Sequence, residues 1–169
     1  MLRRLLLAVT AIAAVSFAST ASAATKLGVG VLTNFQGSAG YVLIPMQVAP
    51  QLKVEPMVGI NTNDQPTGGV DSSTISIGTG VFFTQKAVQQ ADVYFGGRLM
   101  LDFVSADDGV NDESGTNFQL AAAIGGEYYL VPKFSVGIEA NLGFYSNADF
   151  VGDDSGFFTQ GLAIIRFYL

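Results

Sequence analysis

Apolar and polar side chains alternate with period two along most of the chain from residue 26 onward. Eight windows carry the pattern: 26–34, 41–48, 52–60, 74–84, 92–104, 117–130, 134–145 and 157–169. Successive side chains of a strand point to opposite faces, so this alternation predicts eight strands with two unlike faces. In the fifth window one parity reads Val93, Phe95, Gly97, Leu99, Leu101 and Phe103. In the seventh it reads Phe134, Val136, Ile138, Ala140, Leu142 and Phe144. The other parity holds every charge within the windows: Lys26, Lys53, Glu55, Asp92, Arg98, Asp102, Glu127, Glu139 and Arg166. The apolar parity carries no charge and no Ser, Asn or Gln; only Thr, Gly and Pro56 dilute it.

Two architectures use such strands. A soluble barrel or sandwich turns its apolar parity inward and needs many charged residues on the outside. A membrane barrel turns the apolar parity to lipid and the polar parity to the lumen. Here the polar row is rich in Gly, Ala, Tyr and Ser and poor in charge, which favours the second. No unpaired sheet edge can sit in hydrocarbon, so the sheet must close, and eight is an even number as bacterial barrels require. The pattern predicts an all-β, eight-stranded antiparallel up-and-down transmembrane β-barrel over residues 24–169.

Residues 1–23 read as a cleaved signal peptide. Arg3 and Arg4 precede an apolar run from Leu5 to about Phe17, and Ala21-Ser22-Ala23 supplies a small-residue site, so cleavage is expected between Ala23 and Ala24. No later apolar run reaches the roughly 18 residues of a spanning helix. The protein is therefore expected outside the cytoplasm, in the bacterial outer membrane.

The connections sort into two kinds. On one side lie 35–40, 61–73, 105–116 and 146–156; the last three are long and acidic and contain no Lys or Arg. Their carboxylates include Asp107, Asp108, Asp112 and Glu113, then Asp149, Asp153 and Asp154. On the other side lie Ala49-Pro50-Gln51, 85–91 and Val131-Pro132-Lys133. Short periplasmic turns and long outer loops are the outer-membrane arrangement. Outward aromatics fall near both rims, with Phe83, Phe95, Tyr128, Phe134 and Phe167 towards the turns. Phe35, Phe103, Phe118, Phe144 and Phe157 lie towards the loops. Two girdles at the membrane interfaces are the expected cause.

Composition narrows the chemistry. Charged residues make up 13% of the 169-residue chain, against about a quarter in ordinary soluble domains. There is no Cys and no His. That excludes a disulfide framework, a thiolate nucleophile, imidazole metal ligands and a Ser-His-Asp triad. After loss of Arg3 and Arg4 the chain keeps 6 basic against 14 acidic residues, a net charge of −8, which argues against nucleic acid. No cofactor is expected and no metal site is predicted. The acidic segment Asp107–Glu113 lacks EF-hand spacing and reads as a solvated loop; a weaker reading has Mg²⁺ or Ca²⁺ bridging it to lipopolysaccharide phosphates.

The lumen holds the residues worth singling out. Lys53, Glu55, Arg98, Glu127, Glu139 and Arg166 all fall in the turn-side half of the polar parity. Buried charges are costly unless paired, so three cations and three anions predict a mutually neutralising plug. The specific expectation is that Arg98 and Arg166 bridge Glu127 and Glu139. Bulky inward residues, among them Tyr41, Phe82, Tyr94, Met100, Tyr129 and Tyr168, leave little room for a channel. Glu127 and Glu139 as an acid/base pair is the enzymatic reading, and it is disfavoured because structural ion pairs perturb carboxylates equally well.

The stretch Gly125-Gly126-Glu127-Tyr128-Tyr129-Leu130, followed by Phe134-Ser135-Val136-Gly137-Ile138-Glu139-Ala140, resembles the small outer-membrane β-barrel domain family. Opacity-type proteins and the OmpX, OmpW and OmpA barrels belong to that group. Phe95-Gly96-Gly97-Arg98-Leu99 and Ile165-Arg166-Phe167-Tyr168-Leu169 fit the same pattern, although Leu169 replaces the usual terminal aromatic residue. The resemblance implies insertion by the outer-membrane assembly machinery, contact with outer-membrane lipid and lipopolysaccharide, and a structural or surface-interaction role without enzymatic activity. A monomer is expected. The alternatives are a narrow porin-like channel for small solutes and a soluble periplasmic ligand-binding barrel.

Overall fold

A computed structural model describes residues 26–35, 40–63, 71–107, 112–147 and 154–169. Signal residues 1–23, with Ala23 and Ala24, lie outside the described residues, as do Asp108, Asp149 and Asp153.

Among the described residues nine strands form one sheet: β1 (Gly28–Asn34), β2 (Gly40–Leu43), β3 (Met46–Ala49), β4 (Leu52–Asn63), β5 (Asp71–Val88), β6 (Ala91–Asp107), β7 (Asp112–Val131), β8 (Phe134–Ser146) and β9 (Ser155–Tyr168). All pairings are antiparallel. β1 pairs with β9, and β2 pairs with both β1 and β4, so the sheet closes. β2 and β3 are two halves of one barrel position, which makes the wall eight strands round.

The 41–48 window is thus split, and proline chemistry explains it. Pro45 has no N–H to give to a ladder. Its carbonyl accepts from Gly28 N at 2.9 Å, and Ile44 N donates to Pro56 O at 2.9 Å, so backbone groups at the break still find partners.

Four strands run further than the alternation predicts. β4, β5, β6 and β7 extend through polar residues that still pair, with Asn63 opposite Ser72, Ser105 opposite Ser114 and Asp107 opposite Asp112. Ladder hydrogen bonds need no apolar side chains, so periodicity ends before the strand does. The 61–73 and 105–116 connections are correspondingly shorter, and Asp71, Asp107 and Asp112 stand on strands rather than in loops. The 85–91 connection is likewise mostly strand, leaving Gln89-Gln90 as a tight turn after a bulge between Lys86 and Val88.

The register fixes the stagger of the barrel. Paired residues run once around the wall from Tyr129 through Ser135, Arg166, Gly30, Leu43, Met57, Gly78 and Met100. They return to β7 at Gln119, ten residues away. With a rise of about 3.3 Å per residue and strands about 4.8 Å apart, this tilts the strands by about 40°.

The two faces are as unlike in space as in sequence. β1 alternates buried and exposed at every residue. Exposed positions carry Val29, Val31, Val93, Phe95, Ile124, Ile138, Leu142 and Ile165, a belt of apolar side chains around the outside. Ring pairs strengthen both rims: Phe83 and Phe95 have centroids 5.4 Å apart, and Phe144 and Phe157 meet edge-on at 5.9 Å.

Candidate functional site

The inward parity of the turn-side half brings all six predicted charges together. Lys53, Glu55, Arg98, Glu127, Glu139 and Arg166 are each buried, with at most 5% of their surface exposed. β4 supplies Lys53 and Glu55, β6 supplies Arg98, and Glu127, Glu139 and Arg166 come from β7, β8 and β9.

Glu55 is the hub. Its carboxylate faces Arg166 Nε at 2.8 Å, Arg98 Nη2 at 3.0 Å and Lys53 Nζ at 3.3 Å. Arg98 grips Glu139 with two bonds, Nε to Oε1 at 2.6 Å and Nη2 to Oε2 at 2.8 Å, the fork geometry in which guanidinium and carboxylate match best. Arg166 Nη1 reaches Glu127 Oε2 at 3.2 Å, and Lys53 Nζ donates to the same oxygen at 3.0 Å. Arg98 therefore takes Glu139 and Arg166 takes Glu127. Each also turns to Glu55, which the sequence does not mark as the centre.

Neutral residues complete the network. Glu127 Oε1 accepts from Tyr168 Oη at 2.6 Å and from Ser135 Oγ at 2.5 Å, while Tyr94 Oη donates to Glu139 Oε2 at 3.1 Å. The rings of Phe82 and Tyr94 meet edge-on at 5.1 Å and form a platform for the cations. Lys53 Nζ lies 4.3 Å from the Tyr94 centroid and Arg98 Cζ 4.8 Å from that of Phe82. Small backbone sites make this fit. A Cβ at Gly125 would strike the end of the Tyr94 ring, and one at Gly80 would strike the Phe82 ring and Arg98 Nη1.

A second layer goes beyond the sequence expectation. Leu32, Leu43, Met57, Leu162 and Ile164 are buried inward residues that pack as an apolar cluster, with Tyr41 and Met100 against it. Met57 joins the layers, since its Sδ lies 3.9 Å from Arg98 Nη1. Large aliphatic residues on the polar parity are the available signal. In a lumen expected to be polar they have no assigned role. Ser135 and Tyr168 also gain their role only once the register places them beside Glu127.

Among the described loop-side carboxylates, Glu113 and Asp154 are not drawn together in the same way. Glu113 is exposed at the end of β7, and Asp154 accepts from Tyr145 Oη at 3.0 Å across the β8–β9 hairpin. Among the described residues no group of three or more His, Cys, Asp or Glu is placed to hold a metal.

No protein-family model and no curated protein matches this sequence. Solved structures match its shape. Neisserial surface protein A superposes with a TM-score of 0.59 at 16% identity, over 86% of this chain and 94% of its own. A major outer membrane protein from Thermus thermophilus gives 0.52 at 15% identity, over 87% of this chain and 100% of its own. Ail, the attachment invasion locus protein of Yersinia pestis, solved with the heparin analogue sucrose octasulfate, gives 0.53 at 10% identity, over 85% and 94%. At these identities the likeness is one of architecture. A closed eight-stranded antiparallel wall is what this chain has in common with them: its fold is that of the small bacterial outer-membrane barrels.

Proposed function

We propose that the protein is an integral outer-membrane barrel with a closed, non-catalytic lumen, and that its activity lies in the hairpins above the membrane. The observation that carries this reading is strand length. A membrane-spanning strand needs about 9–11 residues. β5, β6 and β7 have 18, 17 and 20 residues. Their turn-side ends are tight, so the surplus projects on the loop side.

There, among the described residues, the sheet has an edge. Glu113 to Thr116 pair with β6 alone among the described residues, because the β7–β8 ladder begins at Phe118 opposite Ser146. A strand edge raised clear of the bilayer can accept an extended segment of another protein. The surrounding connections carry Asp and Glu without Lys or Arg, so a neutral or basic partner suits them. A polysulfated ligand such as the one bound to Ail would meet like charge.

The lumen supports a structural role. Two layers, one of ion pairs and one of aliphatic side chains, cross it in series, and every buried Glu is engaged by cations. This arrangement favours stability over a porin-like channel or acid/base chemistry. Lipid and lipopolysaccharide contact the belt, assembly depends on the outer-membrane machinery, and the barrel acts as a monomer.

The absence of native Cys gives a direct test. In intact cells, Ser114→Cys should react with a membrane-impermeant maleimide and Gln90→Cys should not. Detergent-solubilised protein should migrate differently on gels before and after boiling, and should stay with membranes through urea or carbonate. Release by urea would favour the soluble periplasmic barrel instead.

A further inference from the structure

The charge balance of the lumen stops at the aliphatic layer. Beyond it, on the loop side, Asp102 of β6 is buried with 7% of its surface exposed. Glu55, Glu127 and Glu139 each have a cation within ion-pair distance. Asp102 has none among the described residues. Its Oδ2 accepts from Gln119 Nε2 at 3.1 Å, while its Oδ1 is buried without a hydrogen-bond partner. Leaving a carboxylate oxygen in this state is costly.

The surroundings are rich in oxygen. Ser76 is the direct cross-strand neighbour of Asp102 and is itself buried. Tyr41, Gly59, Ser76 and Asp102 follow one another in a single cross-strand row, and the Tyr41 ring lies against the bare backbone of Gly59. Met100 and Tyr41 pack against the aliphatic cluster, which stands between Asp102 and the guanidinium groups below. Among the described residues the protein's own cations stand on the far side of that layer, so a compensating metal cation would reach Asp102 from the outer side.

We propose that Asp102, with the Ser76 and Tyr41 hydroxyls, is a binding site for a monovalent metal cation of the Na⁺ class entering from the cell exterior. Hard oxygen donors suit a hard cation. One carboxylate among neutral oxygens balances one positive charge; a divalent ion would leave an uncompensated charge in a poorly hydrated lumen. The site is separate from the ion-pair plug and does not depend on the surface role proposed above.

A ligand that binds only the folded state raises its thermal midpoint. Folded protein in detergent is heated in choline chloride, NaCl or KCl at equal ionic strength, with CaCl₂ as a further arm, and the boiling-sensitive gel form is followed. Wild type should gain several degrees in NaCl or KCl over choline chloride. Asp102→Asn, which keeps the shape and removes the charge, should gain nothing. In choline chloride it should unfold at or above the wild-type temperature, because the unpaired charge is gone. Ser76→Ala keeps the carboxylate and should need more Na⁺ for the same gain. Equal gains in wild type and Asp102→Asn, or no gain in wild type, would overturn the proposal. So would a wild-type gain confined to Ca²⁺.

Discussion

Glu55 Oε1 lies 2.8 Å from Arg166 Nε across the lumen, and both side chains are closed to solvent. The pair joins β4 to β9, which are not neighbours in the wall. It is a strut across the barrel as well as a neutralising contact.

Removing one end of that strut should be severe. Glu55→Gln leaves Lys53, Arg98 and Arg166 with two carboxylates among three cations. Breaking a buried pair from one side costs about 3–5 kcal/mol. The urea midpoint of the boiling-sensitive gel form should fall accordingly. Pairing Glu55→Gln with Arg166→Met should recover part of the loss, because the stranded charge goes too. Equal stability of wild type and Glu55→Gln would mean that the network contributes little.

Conductance tests the two layers separately. Wild type in planar bilayers should show no stable large conductance. Leu43→Ala with Leu162→Ala opens only the aliphatic layer, and Arg98→Ala with Glu139→Ala weakens only the ionic one. Neither pair alone should conduct, whereas the four changes together should. Stable conductance from the wild-type monomer would refute the closed lumen.

The bare backbone at Gly125 is a packing requirement. Gly125→Ala places a methyl group against the Tyr94 ring and pushes its hydroxyl from Glu139. Overpacking a tight interior costs about 1–3 kcal/mol. Gly126→Ala, one residue along and facing outward, meets only a backbone oxygen at 3.9 Å and should be nearly neutral. The comparison is read by thermal midpoint in one detergent.

Outward side chains should obey membrane rules. Ile138 is 66% exposed on the outer face of β8. Ile138→Arg should cost about 2–4 kcal/mol if that position lies near the bilayer midplane, and should slow insertion into vesicles. In a soluble barrel the same change would be harmless, so the two readings give opposite results.

Much of this architecture is legible from alternation alone. The inward side chains Arg98 and Glu139 and the outward Phe95 and Ile138 follow from a period of two once one strand is phased. Strand ends are less legible, because Ser72, Ser105 and Ser114 continue a ladder without an apolar face to announce it. Glu55 as hub cannot be read, since partner choice depends on a ten-residue stagger that brings β4 opposite β9. The aliphatic layer is hidden for a different reason. Leu32 and Ile164 sit on the parity that charge marks as polar, and a barrel interior can hold both kinds of side chain at different depths.

The proline break gives the wall a preferred line of failure. β1 meets β2 only over Gly30–Thr33, and β2 meets β4 only over Tyr41–Leu43, whereas β5 and β6 are zipped from Asp71 to Val88. A cylinder under thermal load parts where its stitching is shortest. Lateral opening therefore begins beside Pro45, and amide exchange should be fastest in β2 while β6 is still protected. The first strand, by contrast, is held to the last along its whole length, Gly28 to Asn34. Breathing of the wall would thus leave the joint between the two ends of the chain closed and open the barrel one strand further on.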